Sequence, residues 1–97
     1  MTVEKKLDNG TLTIRLVGRL DTNTAPQLQE EISYEGVSKL VFDLTDLEYL
    51  SSAGLRVLLM SQKTMLASGG TMEVTNPNAT IKSVFEMTGC SEIFTII

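Results

Sequence analysis

No histidine occurs in the 97 residues. Ser–His and Cys–His nucleophilic catalysis in cis are therefore excluded, and the commonest metal ligand is missing. The single cysteine, Cys90, rules out an internal disulfide and any Cys-x-x-Cys metal pair, and it reads as a small buried hydrophobe. No metal and no cofactor are expected. A small carboxylate-based enzyme is disfavoured, since the chain is too short for a deep pocket with a lid.

Basic clusters are also lacking. The 8 Lys and Arg residues stand singly against 12 Asp and Glu, for a net charge of −4. That leaves no electrostatic footprint for nucleic acid or for an anionic membrane. The longest apolar run, Leu55 to Met60, is broken by Arg56 and falls far short of the roughly 20 residues that span a bilayer, so no membrane insertion is expected. The segment from Met1 to Lys6 lacks the apolar stretch of a secretory signal, and a cytoplasmic setting fits best.

What is present suffices for one core, with 42% hydrophobic residues in a chain of single-domain size. Thr11 to Leu16 alternates polar and apolar as a half-buried strand does, and Asn9-Gly10 before it is a tight-turn signal that pairs Val3–Leu7 back as a hairpin. A first helix is predicted from a cap at Asn23 or Thr24, with Pro26 in its first turn, to about Tyr34. Lys39 to Asp43 reads as a short central strand covered on both faces. A second helix is predicted over Ser52–Ala67, with an apolar stripe at Leu55, Leu58, Leu59 and Leu66, closed by Gly69-Gly70. Thr71–Thr75 is a further strand, Ile81 to Met87 marks a third helix ending near Gly89, and Ile93–Ile97 reads as a terminal strand.

The predicted order β-β-α-β-α-β-α-β implies a single α/β domain over residues 1–97, a mixed sheet with right-handed parallel crossovers. Ser51 and Ser52 then fall at the carboxyl end of a central strand, where open α/β sheets carry their sites. Serine suits a helix N-cap, and a helix start also stabilises an added anion. Gly54 allows close packing of the helix start and leaves the surface beside the hydroxyls unobstructed. Asp21 and Asp46 read as capping or loop-solvating residues and Asp43 as a solvated strand end. Met60, Met65, Met72 and Met87 read mostly as core, with an adaptable binding surface as the alternative.

Gly18-Arg19-Leu20-Asp21, Asp43-Leu44-Thr45-Asp46-Leu47, Ser51-Ser52-Ala53-Gly54-Leu55 and Val84-Phe85-Glu86-Met87-Thr88-Gly89, in this order, resemble the STAS domain of bacterial anti-sigma factor antagonists. The resemblance implies a cytoplasmic switch that binds an anti-sigma factor, itself a serine kinase, and is reset by a serine phosphatase. It places phosphorylation on Ser52 and leaves Ser51 as the helix cap, with Ser51 the alternative phosphosite because Ser51 stands where the family signature has aspartate. It also implies a partner-binding surface of Asp21, Ser51, Ser52 and Gly54. Some STAS domains are never phosphorylated and serve instead as subunits of transporters or signalling assemblies.

Overall fold

In the computed structural model, which describes all 97 residues, five strands form one sheet in the order β1-β2-β3-β4-β5. β1 (Thr2–Asp8) and β2 (Thr11–Leu20) make the expected antiparallel hairpin. Asn9 and Gly10 take φ of 50° and 82°, the left-handed pair that a tight two-residue turn requires. β3 (Lys39–Leu50), β4 (Thr71–Thr75) and β5 (Thr95–Ile96) add in parallel to β2. The crossovers carry α1 (Ala25–Glu31), α2 (Ser52–Ala67) and α3 (Ala79–Thr88).

Because successive parallel strands always add on the same side, right-handed crossovers place every helix on one face of the sheet. A single core of 22 residues results: Leu12, Ile14 and Leu16 of β2, Leu40, Phe42 and Leu44 of β3, and Met72 and Val74 of β4 all point into it. The opposite face is open. Thr13, Arg15, Val41, Asp43 and Glu73 are only half-buried there, so β3 is covered on one face and not on two as its apolar run suggested. Arg15 bridges Glu4 and Asp46 across three strands of this face, which gives Asp46 an ion-pair role rather than a loop one.

β3 is also longer than its alternation indicated. Two register shifts against β2, between Arg15 and Val17 and between Gly18 and Arg19, each leave one extra residue on β3. With these bulges Leu44, Leu47 and Leu50 are buried at intervals of three, and the strand runs on to the serines.

Helix α1 stops at Glu31 rather than near Tyr34. Ile32 turns extended and buries its side chain, while the Tyr34 hydroxyl lies 2.8 Å from Ser61 Oγ and ties the loop to α2. On α2 the buried stripe includes Leu55, Val57, Leu58, Gln62 and Met65, and Leu66 faces out. Met65 and Met72 are core, whereas Met60 and Met87 are exposed. At the C-terminus a short 3-10 turn, Cys90–Glu92, precedes the expected strand and buries Cys90, and Ile93 continues the turn rather than the strand. Phe94 then packs edge-on to Phe85 with ring centroids 5.3 Å apart, leaving only Thr95 and Ile96 in the ladder.

Candidate functional site

Leu20 and Leu50 are register partners at the ends of β2 and β3, so the residues that follow them, Asp21 and Ser51, emerge side by side. The Ser51 N–H donates to the Leu20 carbonyl at 2.9 Å and holds the two strand ends together. Asp21 and Ser51 then start different helical turns, and both act as caps.

Asp21 caps the α1 turn. Its Oδ1 accepts from the Asn23 and Thr24 N–H groups at 3.0 and 3.1 Å, and its own N–H donates to Thr24 Oγ1 at 2.8 Å. This reciprocal pairing over three residues is the capping-box arrangement, and it begins the turn at Asp21, four residues before the first α-helical residue, Ala25. Neither Asn23 nor Thr24 caps in the way the sequence suggested: Thr24 makes no side-chain cap bond of its own and instead completes the box. The Asp21 carboxyl is held below the usual aspartate range, chiefly by the Thr24 N–H, then by the Thr24 hydroxyl and the Asn23 N–H, with Arg19 adding a weaker attraction. Asp43 is held low in the same way by the hydroxyl and N–H of Thr45.

A pH dependence follows. Both groups bind protons less readily when folded, so near and below about pH 4 the unfolded chain takes up more protons and stability rises with pH. Their contribution is present above the ordinary aspartate range and is lost as pH falls through the depressed values. Urea midpoints measured from pH 5 down to pH 2.5 should decline steadily, and Asp21→Ala should flatten that decline. An equal slope in wild type and variant would contradict the linkage.

Ser51 caps α2 from an extended backbone (φ −90°, ψ 173°). Its Oγ accepts from the Gly54 N–H at 3.2 Å, and its carbonyl accepts from Leu55 at 2.9 Å. Of the donors that a helix start leaves over, those of Ser52 and Ala53 are not used by the cap. Ser52 occupies the first helical position, exposed, and its hydroxyl has no hydrogen-bond partner within the protein. The adjacent hydroxyls thus differ in kind, one engaged and one free.

Gly54 lies beneath this surface, buried. A Cβ there would meet Leu20 Cγ at 2.6 Å, the Leu20 carbonyl at 2.9 Å and Leu50 Cδ1 at 2.9 Å. It supports the site by letting α2 start against the strand ends and offers little surface for a partner to touch.

Beside Ser52 a groove of about 260 Å³ runs between the starts of α1 and α2, bordered by Thr22, Pro26, Gln29, Arg56 and Met60. Of these five only Met60 had a binding reading from sequence, as the alternative to a core one. Arg56 and Met60 follow Ser52 at intervals of four, a signal that marks one helix face but does not say which neighbour that face meets. Arg19, register partner of Tyr49, lies over its ring at 4.2 Å and reaches 4.0 Å from Asp21.

A one-sided α/β sheet with a capped pair of strand ends, a free serine hydroxyl at a helix start and a shallow groove defines a surface suited to engaging another macromolecule. Residues 2–97 match the STAS domain, and the chain belongs to that family. It is 30% identical over 100 residues to the anti-sigma F factor antagonist of Paenibacillus polymyxa, covering 99% of this chain and 86% of that one. It is 26% identical over 98 residues to the anti-sigma-B factor antagonist of Bacillus subtilis, covering 99% and 90%. The fold matches that of the Bacillus cell fate determinant SpoIIAA in its phosphorylated form with a TM-score of 0.79 at 23% identity, covering 99% of this chain and 91% of that one. No helix is long and apolar enough to cross a membrane.

Proposed function

We propose that this protein is a cytoplasmic anti-sigma factor antagonist that binds a cognate anti-sigma factor with serine kinase activity, and that phosphorylation of Ser52 switches the binding off. The difference between the two serines carries the reading: Ser51 Oγ is committed to the Gly54 N–H, whereas Ser52 Oγ is exposed and free. The relatives named as anti-sigma factor antagonists support the partner class, and the phosphorylated form of a structural neighbour supports the modification.

In the step itself the Ser52 oxygen bonds to the γ-phosphorus of ATP, the bond between that phosphorus and the β,γ-bridging oxygen breaks, and ADP and the hydroxyl proton leave. A helix start tolerates the added charge of about −1.5 to −2, so the fold persists. An interface built around a neutral hydroxyl does not tolerate it. A serine phosphatase returns the hydroxyl and resets the switch. Asp21 and Ser51 flank the modified residue and shape the contact, and Gly54 holds the helix start in place from below.

The test is incubation with the cognate kinase and ATP, read by intact mass. Wild type and Ser51→Ala should each take up one phosphate, with Ser51→Ala also losing about 0.5–2 kcal/mol of stability as its cap is removed. Ser52→Ala should take up none. Incorporation into Ser52→Ala but not Ser51→Ala would move the site to Ser51, and no incorporation into wild type would refute the switch.

A further inference from the structure

We propose that Arg56 is the clamp for a phosphoryl group on Ser52, its guanidinium pairing with the phosphate one helical turn away and holding it at the rim of the groove between α1 and α2. This inference rests on the reading of Ser52 as the modified residue and adds to it the group that receives the modification.

Three observations converge on Arg56. First, Ser52 and Arg56 are four residues apart on α2 and border the same groove, a spacing that brings side chains within about 5–6 Å at their Cβ atoms. Second, Arg56 is exposed and enters none of the protein's ion pairs, which join Arg15 to Glu4 and Asp46, Arg19 to Asp21, and Lys39 to Glu73. Third, the charges at the neighbouring end of β2 offer nothing to a phosphate. The Asp21 carboxyl, emerging beside Ser51, is held ionised by its cap bonds, and Arg19 is already engaged by Asp21 and the Tyr49 ring. A phosphate arriving on Ser52 therefore has a fixed carboxylate at the neighbouring end of β2 and one uncommitted cation within a turn of it on its own helix.

Guanidinium is suited to this task because its planar fork of N–H donors matches two phosphate oxygens at once. The Ser52 and Ala53 N–H groups left free by the Ser51 cap add backbone donors at the helix start. In the unmodified protein Arg56 lines the groove together with Gln29 and Met60, available to a partner. In the phosphorylated protein it turns back to its own chain. The modification would thus withdraw a cation from the binding surface while adding an anion to it.

The experiment uses the full chain with phosphoserine incorporated at position 52 during translation and follows the phosphorus resonance as a function of pH. An Arg56 pair favours the dianion, so the second phosphate ionisation in wild type should lie below its ordinary value near 6. Arg56→Gln should raise it by about 0.2–0.7 unit, as expected for a surface pair, and 0.5 M salt should erase most of the difference. Lys63→Gln is the control, since it removes the same charge from the same helix at an exposed position about 16 Å along the axis from Ser52. An Arg56→Gln titration superimposable on wild type, or an equal shift in Lys63→Gln, overturns the clamp. Because the phosphoserine is installed without a kinase, such a null result rejects the clamp alone. Failure of the kinase to modify Ser52 rejects the switch and leaves the titration standing.

Discussion

Gly54→Ala should lower the thermal midpoint by about 5–20 °C, a large effect for one methyl group. The added Cβ would stand 2.6 Å from Leu20 Cγ and 2.9 Å from both the Leu20 carbonyl and Leu50 Cδ1. A side-chain tip can move aside, but the Leu20 carbonyl cannot, because it also receives the Ser51 N–H that joins β2 to β3. Either the helix start lifts away or the strand ends separate. Overpacking of this kind costs about 1–3 kcal/mol, and in a domain of this size each kcal/mol moves the midpoint by about 4–8 °C. The damage should be local at first, with amide resonances of Leu20, Ser51 and Leu55 shifting most. A midpoint within about 2 °C of wild type would mean that α2 does not sit as tightly on the strand ends as the contacts indicate.

The same contacts explain why some elements were legible in the sequence and others were not. α2 and β4 have the boundaries read from sequence, because a serine start, a Gly-Gly stop and strict alternation are local signals. The second half of β3 was not legible. Leu44, Leu47 and Leu50 repeat every three residues, a period belonging to neither helix nor flat strand, and it arises only because two bulges realign β3 against β2. The bare face of the sheet was hidden for a related reason: the apolar run Leu40-Val41-Phe42 does not reveal that every crossover falls on the same side. α1 was overextended because Ile32 and Tyr34 are apolar residues recruited by the core and by Ser61, not by a continuing helix.

At the candidate site the serine pair and Asp21 were visible as residue types, but the residues alone did not divide the roles; the family resemblance did, and the cap falls on Ser51 as it implied. Which serine caps depends on where the backbone turns helical, and that is set by the Ser51 bond to Leu20 across the sheet. The groove joins residues near 22–29 with residues near 52–60, and Arg56 had no sequence signal beyond its position one turn after Ser52.

Ser52→Asp separates the switch from the fold because its two expected effects have opposite signs. A carboxylate at the first position of α2 meets the positive end of the helix dipole, which is worth about 0.3–1 kcal/mol, so the domain should be no less stable than wild type. The Ser51 cap is untouched. Against the anti-sigma factor the same charge would enter an interface fitted to a hydroxyl, and a buried charge left without a partner costs about 2–5 kcal/mol. Calorimetric titration should therefore show affinity falling by at least tenfold, and by about 10²–10³-fold for the phosphorylated protein, whose charge is nearly twice as large. Ser52→Ala, which removes an exposed hydroxyl with no bond inside the protein, should stay within about 0.5 kcal/mol of wild-type stability and retain binding. If Ser52→Asp instead loses stability and affinity together, the residue matters to the helix and not to the partner. If it keeps both, charge at this position does not control the complex.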